Sequence, residues 1–228
     1  MTQERVCFSF SLFGSNKKYT EGMVINARQI SARFPSVRIQ IYVANDVPSD
    51  IVTRLEAFPN VRIVRVQRAA NVQNMMDRFM AIDEADCDVM FSRDADSRIH
   101  DRDAACIEDF LASNKLLHII RDHKYHRSLI LGGMWGIRKR ALTQPMQTLI
   151  DQWRSTRRAD SAYMCDQRFL DHAIYPVLVK DAMIHDERRF YKEPAYQPFR
   201  VPIRDRLFVG QVHLFNEAGE EYTEFDVL

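Results

Sequence analysis

The sequence predicts an α/β fold with a mostly parallel central sheet of about six to eight strands flanked by helices. Three observations predict it. Short apolar runs that read as strands take turns with stretches whose apolar residues recur at helical spacing. No repeat, low-complexity tract or linker interrupts the 228 residues, a length suited to one domain with a full core. Finally, Asp94-Ala95-Asp96 closes the apolar run Val89-Met90-Phe91, and such sheets bind ligands beyond the carboxyl ends of their strands.

The elements follow in order. Val6 to Phe13 reads as a buried strand, and Met23, Ala27, Ile30 and Phe34 share a helical face that Pro35 ends. Val37, Ile39, Ile41 and Val43 alternate as a strand running into Asn45-Asp46. A short helix from Asp50 to Phe58 leads to the strand Val61, Ile63, Val64, Val66. Val72, Met75, Met76, Phe79 and Met80 form a helical stripe that reads as core. The strand Val89 to Arg93 carries the acidic pair, and a helix with Ala104, Ile107, Phe110 and Leu111 inward comes next. Leu116 to Ile120 and Leu129 to Leu131 read as strands. Beyond them, Phe169, Leu170, Ala173 and Ile174 mark a helix that Asp166-Gln167 opens, and short strands end at His185 and His213.

Composition limits the function classes. With 46% hydrophobic and 28% charged residues the chain reads as soluble and globular. A formal net charge of +1 provides no whole-molecule field for nucleic acid or an acidic membrane. Arg188, Arg189, Arg200, Arg204 and Arg206 interleave with Tyr191, Tyr196 and Phe199, a segment that could close over a diphosphate or wrap the sheet edge. No apolar run is long enough for a membrane span. Cys7, Cys87, Cys106 and Cys165 are scattered without zinc-ligand spacing, so a reduced, cytoplasmic protein is the expectation.

Several groups could carry chemistry. In a continuing strand, Asp94 and Asp96 would share a face, and two hard oxygen ligands suit Mg²⁺ or Mn²⁺. Arg78, Arg93 and Arg98 carry planar forks that match phosphate oxygens. In Gly132-Gly133-Met134-Trp135-Gly136, glycine would let a sugar approach the backbone and Trp135 would meet its apolar face; the alternative is a bent strand with a core Trp. Asp122, His123 and His126 precede that cluster as candidate substrate contacts. Asp166 either caps its helix or serves as a general base for an acceptor hydroxyl, with the helix N-terminus keeping it ionised. His185, followed by Asp186, is the preferred third metal ligand, with His213 the alternative.

Five segments in this order carry a resemblance: Met76-Asp77-Arg78-Phe79, Arg93 to Arg98, Ile120-Arg121-Asp122-His123, Gly132 to Gly136, and Phe208-Val209-Gly210-Gln211-Val212. Together the chain resembles the GT-A glycosyltransferases, in particular small bacterial and large-DNA-virus enzymes of the chlorella-virus type. The resemblance implies one GT-A domain over residues 1–228, its nucleotide-binding half in about the first 100 residues and its acceptor half in the rest. It implies a nucleotide-diphosphate sugar as donor, with UDP the expected nucleotide, and a glycan or other glycoconjugate as acceptor. Leu12, Phe13 and Tyr19 would lie near the base, and Arg78, Arg93 and Asp94 near the diphosphate. Asp94 and Asp96 would hold Mn²⁺ or Mg²⁺. Asp122, His123, Gly133, Trp135 and Gln167 would contact sugar or acceptor, and Asp166 takes the place of a catalytic carboxylate. Asp166 would either deprotonate the acceptor in an inverting reaction or lie beside the sugar in a retaining one. The rival readings are a nucleotidyltransferase, a haloacid-dehalogenase-type phosphohydrolase and a nucleotide-sugar-binding module without turnover. The phosphohydrolase places its Asp-x-Asp on the first strand, whereas here three apparent strands come before it.

Overall fold

The computed structural model describes residues 4–67, 71–156, 163–194 and 196–224. Seven strands form one sheet: β1 (Val6–Leu12), β2 (Arg38–Ala44), β3 (Val61–Val66), β4 (Val89–Arg93), β5 (Leu117–Arg121), β6 (Met134–Arg138) and β7 (Ala182–Asp186). Their spatial order is β3-β2-β1-β4-β6-β5-β7. β1 pairs in parallel with β2 and β4, β2 with β3, and β5 with β7, while β6 runs antiparallel to both neighbours. The sheet is therefore mostly parallel. A separate hairpin, β8 (His213–Phe215) and β9 (Glu221–Thr223), follows near the C-terminus.

Helices cover both faces. On one side α1 (Lys17–Arg33), α2 (Ser49–Glu56) and α3 (Asp101–Ala112) bury Met23, Ala27, Ile51, Leu55, Ile107 and Phe110 against Phe8, Ile39, Ile41 and Phe91. On the other, the 3₁₀ helix Val72–Asp83, α4 (Met146–Thr156) and α5 (Cys165–Phe169) pack Phe79, Trp153 and Phe169 onto Trp135 and Ile137. A π-helical turn, Leu170–Ile174, and α6 (Tyr175–Leu178) prolong α5. Asn16 caps α1 by accepting the Lys18 N–H at 3.0 Å, and Pro35, which cannot continue a helix, follows its end. All four cysteines are buried and none forms a disulfide among the described residues. Among the described residues no helix is long and apolar enough to cross a membrane.

Three local expectations change. The stripe at Met75 to Met80 winds as a 3₁₀ rather than an α-helix, because the Arg78 N–H turns to the Ser11 hydroxyl at 3.2 Å. Leu129 to Leu131 is irregular and the strand starts only at Met134, where the ladder to β4 begins with Arg93 opposite Met134. Leu207 to Val212 is likewise not a strand: it turns back on itself, with the Gln211 N–H donating to the Phe208 carbonyl at 3.1 Å, and pairing starts at His213.

Candidate active site

A cleft of about 260 Å³ opens beyond the carboxyl ends of β1 and β4. It is assembled from five parts of the chain, each pinned by identifiable bonds.

The first part is the floor. Ser9 on β1 donates its hydroxyl to the Arg78 carbonyl at 2.6 Å, and Ser11 donates to the Asn74 carbonyl at 2.5 Å. These bonds hold the 3₁₀ helix against β1 and deliver Arg78 into the cleft. Its buried guanidinium donates to the Arg93 carbonyl at 3.1 Å, to Asp94, and to Asp166 Oδ2 at 3.0 Å. One planar fork thus clamps two carboxylates from distant segments.

The second part is the acidic turn. The strand ends at Arg93, so Asp94 and Asp96 do not face one point by strand alternation; a turn closes instead, with the Ser97 N–H on the Asp94 carbonyl at 3.3 Å. The turn is held from behind by α1. Asn26 Nδ2 donates to the Ala95 carbonyl at 3.1 Å, and at Gly22 any Cβ would come within 2.4 Å of that carbonyl. Both carboxylates line the cleft all the same. Burial and the negative charge of Asp94 raise the affinity of Asp96 for a proton.

Next come the glycines. The antiparallel register that sets Met134 opposite Arg93 brings Gly133 beside Asp94. A Cβ on Gly133 would lie 1.9 Å from Asp94 Oδ2, and one on Gly132 would lie 2.1 Å from Asp166 Oδ2. Glycine is needed here because the two carboxylates occupy the space of a side chain.

The fourth part is the start of α5. Asp166 is buried, and its Oδ1 accepts the Gln167 N–H at 2.9 Å. Burial pushes its carboxyl pKa up, Arg78 works against that, and Asp94 adds to it. The helix that Asp166 opens, α5, has only five residues. Before it stands Met164 with a left-handed φ of 69°. Tyr163 and Met164 also line the cleft, and Tyr163 is 75% exposed.

A roof completes the cleft. Gly210, at φ 82°, lies so near Met134 that a Cβ would meet its Sδ at 2.2 Å. Gly210 and Val212 face the cleft, and the His213 N–H donates to the Asp96 carbonyl at 2.8 Å.

The cleft gathers Phe13, Tyr19, Arg78, Asp94, Asp96, His126, Gly132, Gly133, Asp166 and Gln167 from among the sequence candidates. Others lie elsewhere. Leu12 is buried in the core between α1 and the sheet. Trp135 is fully buried and meets Phe79 edge-on at 5.1 Å, so it is a core residue and not a platform for a sugar. Arg93 turns away to Asp103, donating at 2.9 and 2.8 Å, and Asp122 accepts from Arg102 at 2.8 and 2.6 Å. His123 stacks on Phe208 with centroids 4.2 Å apart. His185 lies on β7, three strand spacings or roughly 14 Å from β4. There it bonds His118 at 3.2 Å and approaches Asp109 at 3.5 Å, so it cannot join Asp94 and Asp96. His213 is adjacent to Asp96 through its backbone only; its ring Nδ1 is 3.0 Å from Glu221.

Among the described residues no group of three or more His, Cys, Asp or Glu side chains is placed to hold a metal ion. Asp94 and Asp96 both line the cleft, and their hard oxygens are an incomplete set that would suit a divalent ion completed by water and phosphate oxygens. Lys18, which touches the acidic turn, and Tyr163, which lines the cleft, escaped the sequence reading of the site. Lys18 places its Nζ 3.3 Å from Asp96 Oδ2, and its position at the start of α1, just past the carboxyl end of β1, is a signal that was available. Tyr163 carried none.

No protein-family model matches the sequence, and no curated protein matches it. Solved structures do match in fold. The galactosyltransferase LgtC, in complex with donor and acceptor sugar analogues, aligns at a TM-score of 0.53 and 14% identity, over 79% of this chain and 73% of that one. A glycosyltransferase involved in glycosylation of the major capsid of PBCV-1 aligns at 0.52 and 11%, over 80% and 81%. The mannosyltransferase PcManGT from Pyrobaculum calidifontis, in complex with GDP-Man and Mn²⁺, aligns at 0.53 and 11%, over 90% of this chain and 59% of its own. A 4-diphosphocytidyl-2C-methyl-D-erythritol synthase from Anaerococcus prevotii also aligns, at 0.51 and 9%, over 81% and 87%. The chain has the α/β architecture of the GT-A glycosyltransferases, a fold that this last enzyme's alignment extends to another chemistry.

Proposed function

We propose that this protein is a divalent-metal-dependent glycosyltransferase that moves a sugar from a nucleotide-diphosphate donor, with UDP the first nucleotide to test, to a hydroxyl of a glycan or other glycoconjugate. The observation that carries the reading is the clamp: Arg78 holds Asp94 and Asp166 together in one cleft, with Asp96 beside them. Phe13 and Tyr19 offer apolar surface to a base at one end, and Tyr163, Met164 and Val212 offer it to an acceptor at the other. Asp94 and Asp96 would hold Mn²⁺ or Mg²⁺, which when bound offsets the negative charge developing on the departing nucleoside diphosphate. Arg78 fixes where those carboxylates point. Asp166, whose burial strengthens its hold on a proton, is suited to take the acceptor hydroxyl's proton.

Sugar transfer is favoured over nucleotidyl transfer by the glycosyltransferases among the aligned structures. At the cleft three carboxylates face two cations, Arg78 and Lys18. The test is thermal stability with UDP, GDP, CDP and TDP, each with and without Mn²⁺. One diphosphate should raise the melting temperature only with Mn²⁺, and Asp96→Asn should lose that response while staying folded. If no diphosphate responds, or if Asp96→Asn responds like the parent, the reading is wrong. Pyrophosphate as the released product would instead mark a nucleotidyltransferase.

A further inference from the structure

Each carboxylate of the acidic turn already carries a cation of the chain. Asp94 has Arg78, and Asp96 has the Lys18 ammonium at 3.3 Å. The two cations differ in freedom. The Arg78 side chain is 5% exposed and tied to three acceptors, so its fork is fixed. The Lys18 side chain is 26% exposed, and its Nζ has one carboxylate and the face of the Tyr19 ring, 4.4 Å from the centroid. Only its backbone is anchored, through the Asn16 cap. Lysine is a compact charge on a flexible stem, able to change partners without disturbing the helix that bears it.

We infer that Lys18 gates the cation site: a divalent ion must displace its ammonium from Asp96, and the released ammonium then reaches the phosphates of the nucleotide. The inference rests on the proposed metal-dependent reading and adds an order of events to it. With Asp94, Asp96 and Asp166 ionised against Arg78 and Lys18, the cleft carries one net negative charge, which holds a divalent ion alone only weakly. A diphosphate supplies the missing negative charge and gives the displaced ammonium a new partner. Ion and nucleotide therefore bind as a coupled pair, each raising affinity for the other by the same factor.

The test uses Mn²⁺ alone, followed by paramagnetic resonance of the free ion, on the parent chain and on Lys18→Met, which keeps the apolar stem and drops the charge. Lys18→Met should bind Mn²⁺ at least tenfold more tightly. At saturating Mn²⁺ it should bind the tighter of UDP and GDP at least tenfold more weakly. Lys18→Arg, which keeps the charge, should stay within a few-fold of the parent for Mn²⁺. Equal or weaker Mn²⁺ binding by Lys18→Met, or unchanged nucleotide binding, overturns the gate while leaving a metal-dependent transferase intact. If neither protein binds Mn²⁺ even with nucleotide present, the gate and the reading beneath it both fall.

Discussion

In the proposed reaction Asp166 takes the acceptor's proton, and its surroundings set what it can do. Both oxygens are occupied, one by the Gln167 N–H and the other by Arg78, so the carboxylate is oriented before any ligand arrives. Asparagine would keep the shape and lose the charge. Asp166→Asn should lower kcat by about 10²- to 10⁴-fold, the usual worth of a positioned acid or base. Donor affinity should stay within a few-fold, read by calorimetry beside steady-state rates; parent-like turnover would remove Asp166 from the reaction. Asp94, Asp96 and Asp166 were legible in the sequence because they stand just past a strand or at a helix start, the ends of elements that meet the ligand edge of such a sheet. Arg78 was legible as a cleft residue but not as the clamp, since no spacing rule links residue 78 to residue 166. Trp135 misled for a simpler reason. On a strand, a shift of one residue exchanges the two faces, and a start at Met134 turns Trp135 and Ile137 into the core beside Phe79.

Among the elements, β6 does most to shape the cleft. It runs against β4 and β5, so its first residues, not its last, reach the ligand end of the sheet. Its glycines have different duties. Gly133 is pressed by a side chain, Asp94, whereas a Cβ on Gly136 would meet the buried Phe91 ring at 2.6 Å and the Met90 carbonyl at 3.0 Å. Gly133→Ala should displace Asp94 and weaken Mn²⁺-dependent donor binding at least tenfold, with little loss of melting temperature. Gly136→Ala should instead cost about 1–3 kcal/mol of stability, the usual penalty for overpacking a core. Reversed results in parallel binding and urea-unfolding measurements would show that the site does not depend on the fit of Gly133 to Asp94. The strand order explains what else was hidden. Sequence alternation announced strands and helices in sequence order, but nothing local announces that β6 and β5 stand between β4 and β7. That separation is what removes His185 from the acidic turn.

At the scale of the whole molecule, buried histidines set the response to acid. Burial is the leading cause in each case: it holds His118 well below its ordinary value, His126 down to about 3 and His185 down to about 4. Folded, these rings stay neutral where the unfolded chain protonates near 6.5. Their contribution is therefore complete above that pH and is lost as pH falls toward the folded values. Each should cost about 1 kcal/mol per pH unit below 6.5, so stability should drop by roughly 3 kcal/mol between pH 6.5 and 5.5. Urea unfolding across that interval, above the ordinary carboxylate range, checks the sum; a flat profile would mean the rings protonate in place. The C-terminal hairpin has a further consequence. The His213 amide bonds behind Asp96, and Glu221 takes the Arg98 guanidinium at 2.7 Å. During synthesis the sheet can pair from residues that have already emerged, but the acidic turn gains its last supports only when this late segment arrives. In the growing chain, the acidic turn therefore stays without this brace until His213 and Glu221 have been added.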